Sequence, residues 1–182
     1  MLQEQTGRLS HLAEILLDMT GVQTVERSER ISLAALTDEV FCDLASVAEQ
    51  KEVELIQQEG DCIITGSYLL LYRAVYNLVE NAIKYNHSGG KVTVNTHLSE
   101  EITDTSTSDN YAFLEVSDTG IGIPPEYQEK IFTPFFRVDK SRSRAMGGAG
   151  LGLALVSEIV RQHNGQVKVL ESSKKGSVIA IM

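Results

Sequence analysis

Asn77, Asn81 and Lys84 fall at i, i+4 and i+7, with Tyr85 at i+8, so on a helix they share one stripe, flanked by Glu80. Asn is a weak helix former, and each one costs a helix roughly several tenths of a kcal/mol. Amide oxygens aimed at a hard cation and at phosphate oxygens would account for two of them one turn apart. Mg2+ needs only one or two protein oxygens once phosphates and waters complete its octahedron. Standing alone, the stripe reads first as a solvated helix face. A second group follows in Val116-Ser117-Asp118-Thr119-Gly120-Ile121-Gly122-Ile123-Pro124. An apolar strand delivers Asp118, and the two glycines after it, lacking Cβ, let backbone approach a flat ligand closely. A carboxylate on the floor of such a pocket can accept a hydrogen bond from an exocyclic amine such as adenine N6. An EF-hand loop would need acids where Gly120 and Gly122 stand, so that reading fails. Asp-Thr-Gly after an apolar strand is also the active triplet of aspartic proteases, and the triplet by itself leaves that alternative open.

The third group is the loop FTPFFRVDKSRSRAMGGAGLG, Phe132 to Gly152. Between Arg137 and Met146 stand four bases, Arg137, Lys140, Arg142 and Arg144, against the single acid Asp139. Such a basic island in a chain of net charge -9 needs a reason, and guanidinium forks suit phosphate oxygens. Gly148, Gly150 and Gly152 then open a helix, which would present backbone N–H groups and a positive dipole end to an anion. The dinucleotide fingerprint would need glycine at Leu153 and a preceding strand, and a P-loop would need GK[ST]; neither fits.

These groups need elements to hold them. The segment 1–25 reads as a helix with a narrow seam, Leu2, Leu9, Leu12, Leu16 and Met19, suited to a coiled coil or helical hairpin. Residues 26–30 are polar and read as a linker, and 31–182 as one domain. Leu33, Leu36, Val40, Leu44 and Val47 mark an amphipathic helix ending near Lys51. Strands over 53–57 and 62–65 follow, parted by the hairpin-like turn Glu59-Gly60-Asp61. A long helix runs from Ser67 to about Tyr85, burying Leu71, Ala74, Val75, Leu78 and Ala82. Strands are expected over 91–98 and 111–116, with a solvated hairpin tip over 99–110. A short helix over 126–132, a loop over 133–149, a helix over 150–163 and strands over 166–171 and from Ser177 complete the order. Mixed strands with helices on one face describe a two-layer α/β sandwich.

Composition narrows the partners. With 25 Asp+Glu against 16 Lys+Arg, the chain is a poor match for nucleic acid or an anionic membrane. Cys42 and Cys62 form no metal-binding pair and read as reduced thiols. No apolar run approaches the ~18 residues of a membrane span, and no signal peptide is visible. The expectation is a cytoplasmic location, with a longer parent protein free to be anchored elsewhere.

The order of the three groups decides among the readings. An Asn-bearing helix, a strand ending in DxGxG, a paired-Phe segment, a basic lid and GxGLGL opening a helix together resemble the N, G1, F and G2 boxes of the histidine kinase catalytic domain. That domain has a Bergerat-type sandwich and belongs to the group that includes the gyrase, Hsp90 and MutL ATPases. The resemblance covers about Ile31 to the C-terminus. It implies ATP and Mg2+ as cofactors, with Asn81 holding the metal, Asn77 and Lys84 near the phosphates, and Tyr85 near the adenine. It gives Asp118 the adenine amine, with Gly120 and Gly122 beside it, and counts Ile123 and Phe132 among the nucleotide-binding residues. Arg137, Lys140, Arg142, Gly148, Gly150, Leu151 and Gly152 would form the lid, and Ser177 stands where the family more often has Thr. Hydrolytic relatives place Glu where this chain has Asn77; a neutral amide cannot take a proton from water, which favours transfer to another nucleophile. Glu80 could assist as base. The catalytic set implied is therefore Asn77, Glu80 and Lys84. A chaperone- or gyrase-like ATPase remains the alternative, with an aspartic protease behind it.

The same resemblance implies an acceptor histidine in a His-Glu-x-x-x-Pro-like box. None of His11, His87, His97 and His163 has that context. His163 ends a helix beside Asn164-Gly165, where a cation would suit the dipole. The 1–25 helix resembles the second helix of a dimerisation hairpin, so the acceptor is expected outside this chain. The expected partners are that hairpin and, downstream, a response regulator. The seam spans barely three heptads and includes Gln5 and Gln23, so weak or no homodimerisation is expected.

Overall fold

Ser32 and Asp61 together start the first helix. In the computed structural model, which describes residues 25–58, 60–101, 109–138 and 149–182, the Ser32 Oγ accepts from the Ala35 N–H at 3.1 Å and donates to Asp61 Oδ2 at 2.8 Å. Asp61 Oδ1 accepts from the Ala34 N–H at 3.0 Å, so two side chains satisfy donors that a helix leaves orphaned. This helix, α1 (Leu33–Gln50), buries Leu33, Leu36, Val40, Leu44 and Ala48. The expected Val47 is exposed; the stripe continues four residues after Leu44, at Ala48, rather than three. The N-terminal helix expected over 1–25 lies outside the described residues except for Val25.

Before α1 runs β1 (Glu29–Ser32), antiparallel to β3 (Ile63–Gly66). Glu29 and Arg30, read from sequence as linker, are therefore strand. β2 (Glu54–Gln57) and β3 do not form a hairpin. β2 pairs parallel with β4 (Lys91–Glu101) at the edge of a five-stranded sheet in which β4 is followed by β5 (Asp109–Asp118), β7 (Gly176–Ile181) and β6 (Val167–Ser173), whereas β3 joins the separate β1–β3 ribbon. β4 and β5 (Asp109–Asp118) form an antiparallel hairpin longer than expected, paired out to Glu101 and Asp109. β6 (Val167–Ser173) and β7 (Gly176–Ile181) close the sheet. The expected helix over 126–132 is two short 3-10 turns, Pro125–Tyr127 and Lys130–Phe132, a single turn each.

Helix α2 (Tyr68–Lys84) lies between α1 and α3 (Gly152–Gln162) and against the sheet, burying Leu70, Leu71, Ala74, Val75, Leu78, Val79, Ala82 and Ile83. Val92, Val94, Leu114 and Val116 meet it from the sheet. Each such fully buried aliphatic side chain contributes roughly 1.5–3 kcal/mol. The two-layer α/β sandwich is thus built around the helix that carries the Asn stripe.

His163 ties α3 to the start of α2 and corrects the expectation of a helix-end cation. Its Nδ1 bonds Ile159 O at 2.8 Å, and its Nε2 accepts the Ser67 N–H at 3.1 Å, an arrangement that requires the neutral ring. Burial pushes its pKa down; the bond to Ile159 opposes this and the Arg27 charge adds to it.

Candidate nucleotide site

The stripe on α2 faces the start of α3. Asn77 donates from Nδ2 to Arg73 O at 2.8 Å, back along its own helix. Its Oδ1 lies against Gly152, where a Cβ would sit 2.5 Å away, so residue 152 must be small for the two helices to meet there. Asn81, one turn on, is half-buried, and its amide has no hydrogen-bond partner among the described residues. Lys84 is half-buried with Nζ 5.8 Å from the Tyr85 ring centroid. Burial lowers its pKa; Glu80 opposes that shift, and the Arg137 and Lys51 charges add to it. Glu80 itself is exposed. Lys51 donates from Nζ to Lys84 O at the end of the helix.

Arg137 comes from the other side. Its Nη2 is buried and has no hydrogen-bond partner among the described residues. The segment before it is anchored to the start of α3, Phe135 N–H donating to Gly150 O at 2.8 Å. Gly150, at φ +73°, approaches Phe136 O so closely that a Cβ would lie 2.8 Å from it. Phe135 is itself at φ +63° and exposed, and Phe136 packs on Tyr127 at 5.7 Å. Phe132 is half-buried, and Leu151 is buried and receives the first α3 hydrogen bond, Leu155 N–H at 2.9 Å. Lys140, Arg142 and Gly148 lie outside the described residues.

Asp118 ends β5. Burial pushes its carboxyl up from the ordinary range, while the Gly120 and Ser177 N–H groups and the nearby His87 pull it down. The Gly120 N–H reaches Oδ1 at 2.8 Å, and Ser177 is the cross-strand partner of Asp118. The glycines serve the protein's own backbone as closely as any ligand could. A Cβ at Gly120 would sit 2.4 Å from Tyr85 O, and at Gly122, φ +73°, it would sit 1.8 Å from Ser173 O. Ile121 N–H donates to Tyr85 O at 3.2 Å, so the end of α2 and the loop after β5 are fastened together. A cavity of about 320 Å³ opens beside Asp118, lined by residues of β5 and the β6–β7 hairpin; Asn77, Asn81 and Lys84 do not line it.

Sequence reasoning missed three residues of this framework. Asn86 is buried, donates to Lys91 O at 2.9 Å, and accepts from the His87 N–H at 2.9 Å and the Thr119 hydroxyl at 3.0 Å. Thr119 Oγ1 in turn accepts the Lys91 N–H at 2.9 Å. Ser172 Oγ accepts the Ile123 N–H at 2.6 Å and lies 3.1 Å from Ser177 Oγ. The one available signal was a third Asn, Asn86, just past the end of a helix, where side chains commonly bond local backbone.

These features fit the nucleotide expected. A buried guanidinium nitrogen without a hydrogen-bond partner among the described residues lies within reach of a second cation, which suits anionic oxygens, and a half-buried carboxylate suits an amine. Among the described residues no group of three His, Cys, Asp or Glu side chains could hold a metal, so a cation here would draw on an amide such as Asn81 and on phosphate oxygens.

The mixed sheet, the central Asn-bearing helix and the Asp-Gly loop define a Bergerat-type α/β sandwich. Residues 66–182 match the family of histidine kinase-, DNA gyrase B- and HSP90-like ATPases, and the chain belongs to that family. It is 37% identical over 185 residues to the sensor histidine kinase RppB of Synechocystis sp., covering 98% of this chain and 38% of that protein. The mycobacterial sensor histidine kinase MprB aligns at 28% identity with a TM-score of 0.67, over 85% of this chain and 95% of that one. Full-length ShkA, solved in complex with AMPPNP, shares the fold at a TM-score of 0.77 and 23% identity, over 97% of this chain and 36% of that one. The chain therefore spans well under half the length of RppB. No helix among the described residues is long and apolar enough to cross a membrane.

Proposed function

We propose that this chain is the ATP-binding catalytic unit of a two-component sensor histidine kinase, working in the cytoplasm, that transfers the γ-phosphoryl group of Mg-ATP to a histidine outside the chain. The observation that carries the reading is that Lys84, on the stripe that begins at Asn77, lies within reach of the Arg137 charge, and that the buried Nη2 of Arg137 has no hydrogen-bond partner among the described residues. Asp118 accepts the adenine amine, with Tyr85, Gly120, Gly122, Ile123, Phe132 and Ser177 around the base. Asn77, Lys84 and Arg137 meet the phosphates, joined by Lys140, Arg142, Gly148, Gly150, Leu151 and Gly152 as the lid. Asn81 would hold Mg2+, which when bound neutralises phosphate oxygens. Phosphoryl transfer asks mainly for positioning and charge neutralisation, which these side chains supply.

Asn77 favours transfer over hydrolysis. Its amide is neutral, donates to Arg73 O and presents only a carbonyl oxygen towards Gly152, so it cannot deprotonate a water. Glu80, exposed one residue before Asn81, is the group on this helix able to assist an incoming nucleophile as base. The partners of this activity are an acceptor hairpin and, after it, a response regulator. The test is incubation with labelled ATP and Mg2+, alone and with a separately made acceptor hairpin. Acid-labile label on the hairpin only is expected. Label on this chain lost on His11→Ala, or steady phosphate release with no transfer, would overturn the proposal.

A further inference from the structure

Asp118 is flanked on two sides: its Oδ1 accepts the Gly120 N–H of the loop after β5 at 2.8 Å, and Ser177 of β7 stands opposite it across the sheet. Ser172, on the third element, touches both flanks. β6 and β7 pair Lys168 with Ala180 and Val169 with Ile179, and then a bulge lets Glu171 meet Val178 and Ser172 meet Ser177. An unbroken ladder would have set Glu171 opposite Ser177. The extra residue, Leu170, is exposed, and the shift re-aims the following side chains, as bulges beside functional sites do. It brings the Ser172 Oγ to 3.1 Å from Ser177 Oγ and 2.6 Å from the Ile123 N–H. One hydroxyl has a donor and two acceptor positions, enough for both contacts. The next residue locks the same interface through backbone, since a Cβ on Gly122 would reach within 1.8 Å of Ser173 O. Ser177 is buried, so its hydroxyl is directed by Ser172 rather than by bulk water.

We propose that Ser172 is a positioning residue for base selection: its hydroxyl fastens the Gly120–Pro124 loop to Ser177 and so fixes the direction in which Asp118 presents its free acceptor oxygen. The inference rests on the nucleotide reading given above. Without the hydroxyl, the loop and β7 each retain their own contact to Asp118 but lose the link between them, and the carboxylate becomes free to turn. A group that merely braces the hairpin would lower stability without altering which base is preferred.

The test uses the 182-residue chain with the variants Ser172→Ala and Ser172→Thr, titrated calorimetrically with AMPPNP and with its guanine counterpart. Ser172→Ala is expected to weaken adenine nucleotide binding roughly three- to tenfold, the worth of one buried hydrogen bond. Guanine nucleotide binding should hold, so the adenine preference falls by the same factor, and Ser172→Thr should restore it. Equal loss for both bases, or a lower Tm with the preference intact, overturns the assignment and leaves a structural brace. Unchanged binding in Ser172→Ala overturns it too, while the nucleotide reading stands. A wild-type chain that binds neither nucleotide overturns both.

Discussion

Asp118→Asn separates stability from binding because the two depend on opposite protonation states of one group. Burial is the largest influence on the carboxyl and raises its pKa above the ordinary aspartate range, although the Gly120 and Ser177 N–H groups and His87 favour the charged form. The folded state therefore holds this proton more tightly than the unfolded state does. Stability from this group falls as pH rises through the window between the ordinary and the raised value. Nucleotide binding runs the other way, since the adenine amine needs the ionised acceptor, and weakens as pH falls through the same window. Asparagine removes the charge that burial penalises while retaining one oxygen for the Gly120 N–H at 2.8 Å. Its NH2 group, however, faces a donor. Loss of a hydrogen bond to a charged group costs about 1.5–3 kcal/mol, roughly 10- to 150-fold in ATP affinity. The assays are thermal melting and calorimetric titration of both chains from acid to neutral pH. The expected result is a Tm for the variant at neutral pH no lower than wild type, with ATP affinity reduced and its acid dependence flattened. An Asn variant that melts well below wild type, or binds ATP normally, would refute the reasoning.

Other perturbations are as definite. Asn81→Ala should abolish most of the Mg2+ enhancement of nucleotide affinity with little change in Tm, because the amide has no described partner to lose; titration with and without Mg2+ checks this. Gly122→Ala should cost more than roughly 1 kcal/mol of stability, measured by urea unfolding, because the new Cβ meets Ser173 O at 1.8 Å in a left-handed conformation, φ +73°. His163→Gln should change the acid limb of the stability curve. The wild-type ring has a lowered pKa, so its share of stability is lost as pH falls through the ordinary histidine value and on towards the lower folded value. The variant's melting temperature should fall less steeply with acid over that interval.

Much of the fold is legible because periodicity and length agree. The helix expected from Ser67 to about Tyr85 spans Tyr68–Lys84 and buries Leu71, Ala74, Val75, Leu78 and Ala82 as its spacing selects, and the helix expected over 150–163 spans Gly152–Gln162. What stays hidden depends on pairing. Four residues at 54–57 and four at 63–66 look like a hairpin around Gly60, yet each strand finds a better partner far along the chain. Asp61 looks like a turn residue and works as a second cap for α1, a role that needs Ser32 brought to it across 29 positions. β1 escapes notice because Glu29-Arg30 are exposed, and only Ile31 in that strand is buried. His163 reads as a helix-end cation from its neighbours in sequence, which show neither the burial that disfavours its charge nor the Ser67 N–H, 96 positions away, that its Nε2 accepts.

The same limit governs the site. Residue types and their order are enough to expect a carboxylate, an amide stripe and a basic lid, since each depends on what a side chain can donate or accept. The glycines are different. A missing Cβ says that something comes close, and sequence reasoning assigned that closeness to a ligand. At Gly120 and Gly122 the near neighbours are Tyr85 O and Ser173 O, and at Gly152 the Asn77 amide oxygen. These glycines let the end of α2, the start of α3, the loop after β5 and the β6–β7 hairpin approach one another closely. Their substitution should therefore show first as lost stability and only through that as lost binding. Substitution of Asp118 should show the reverse order. The contrast between Gly122→Ala and Asp118→Asn, measured on one chain with the same pair of assays, tests whether the framework and the chemistry of this site are carried by different residues.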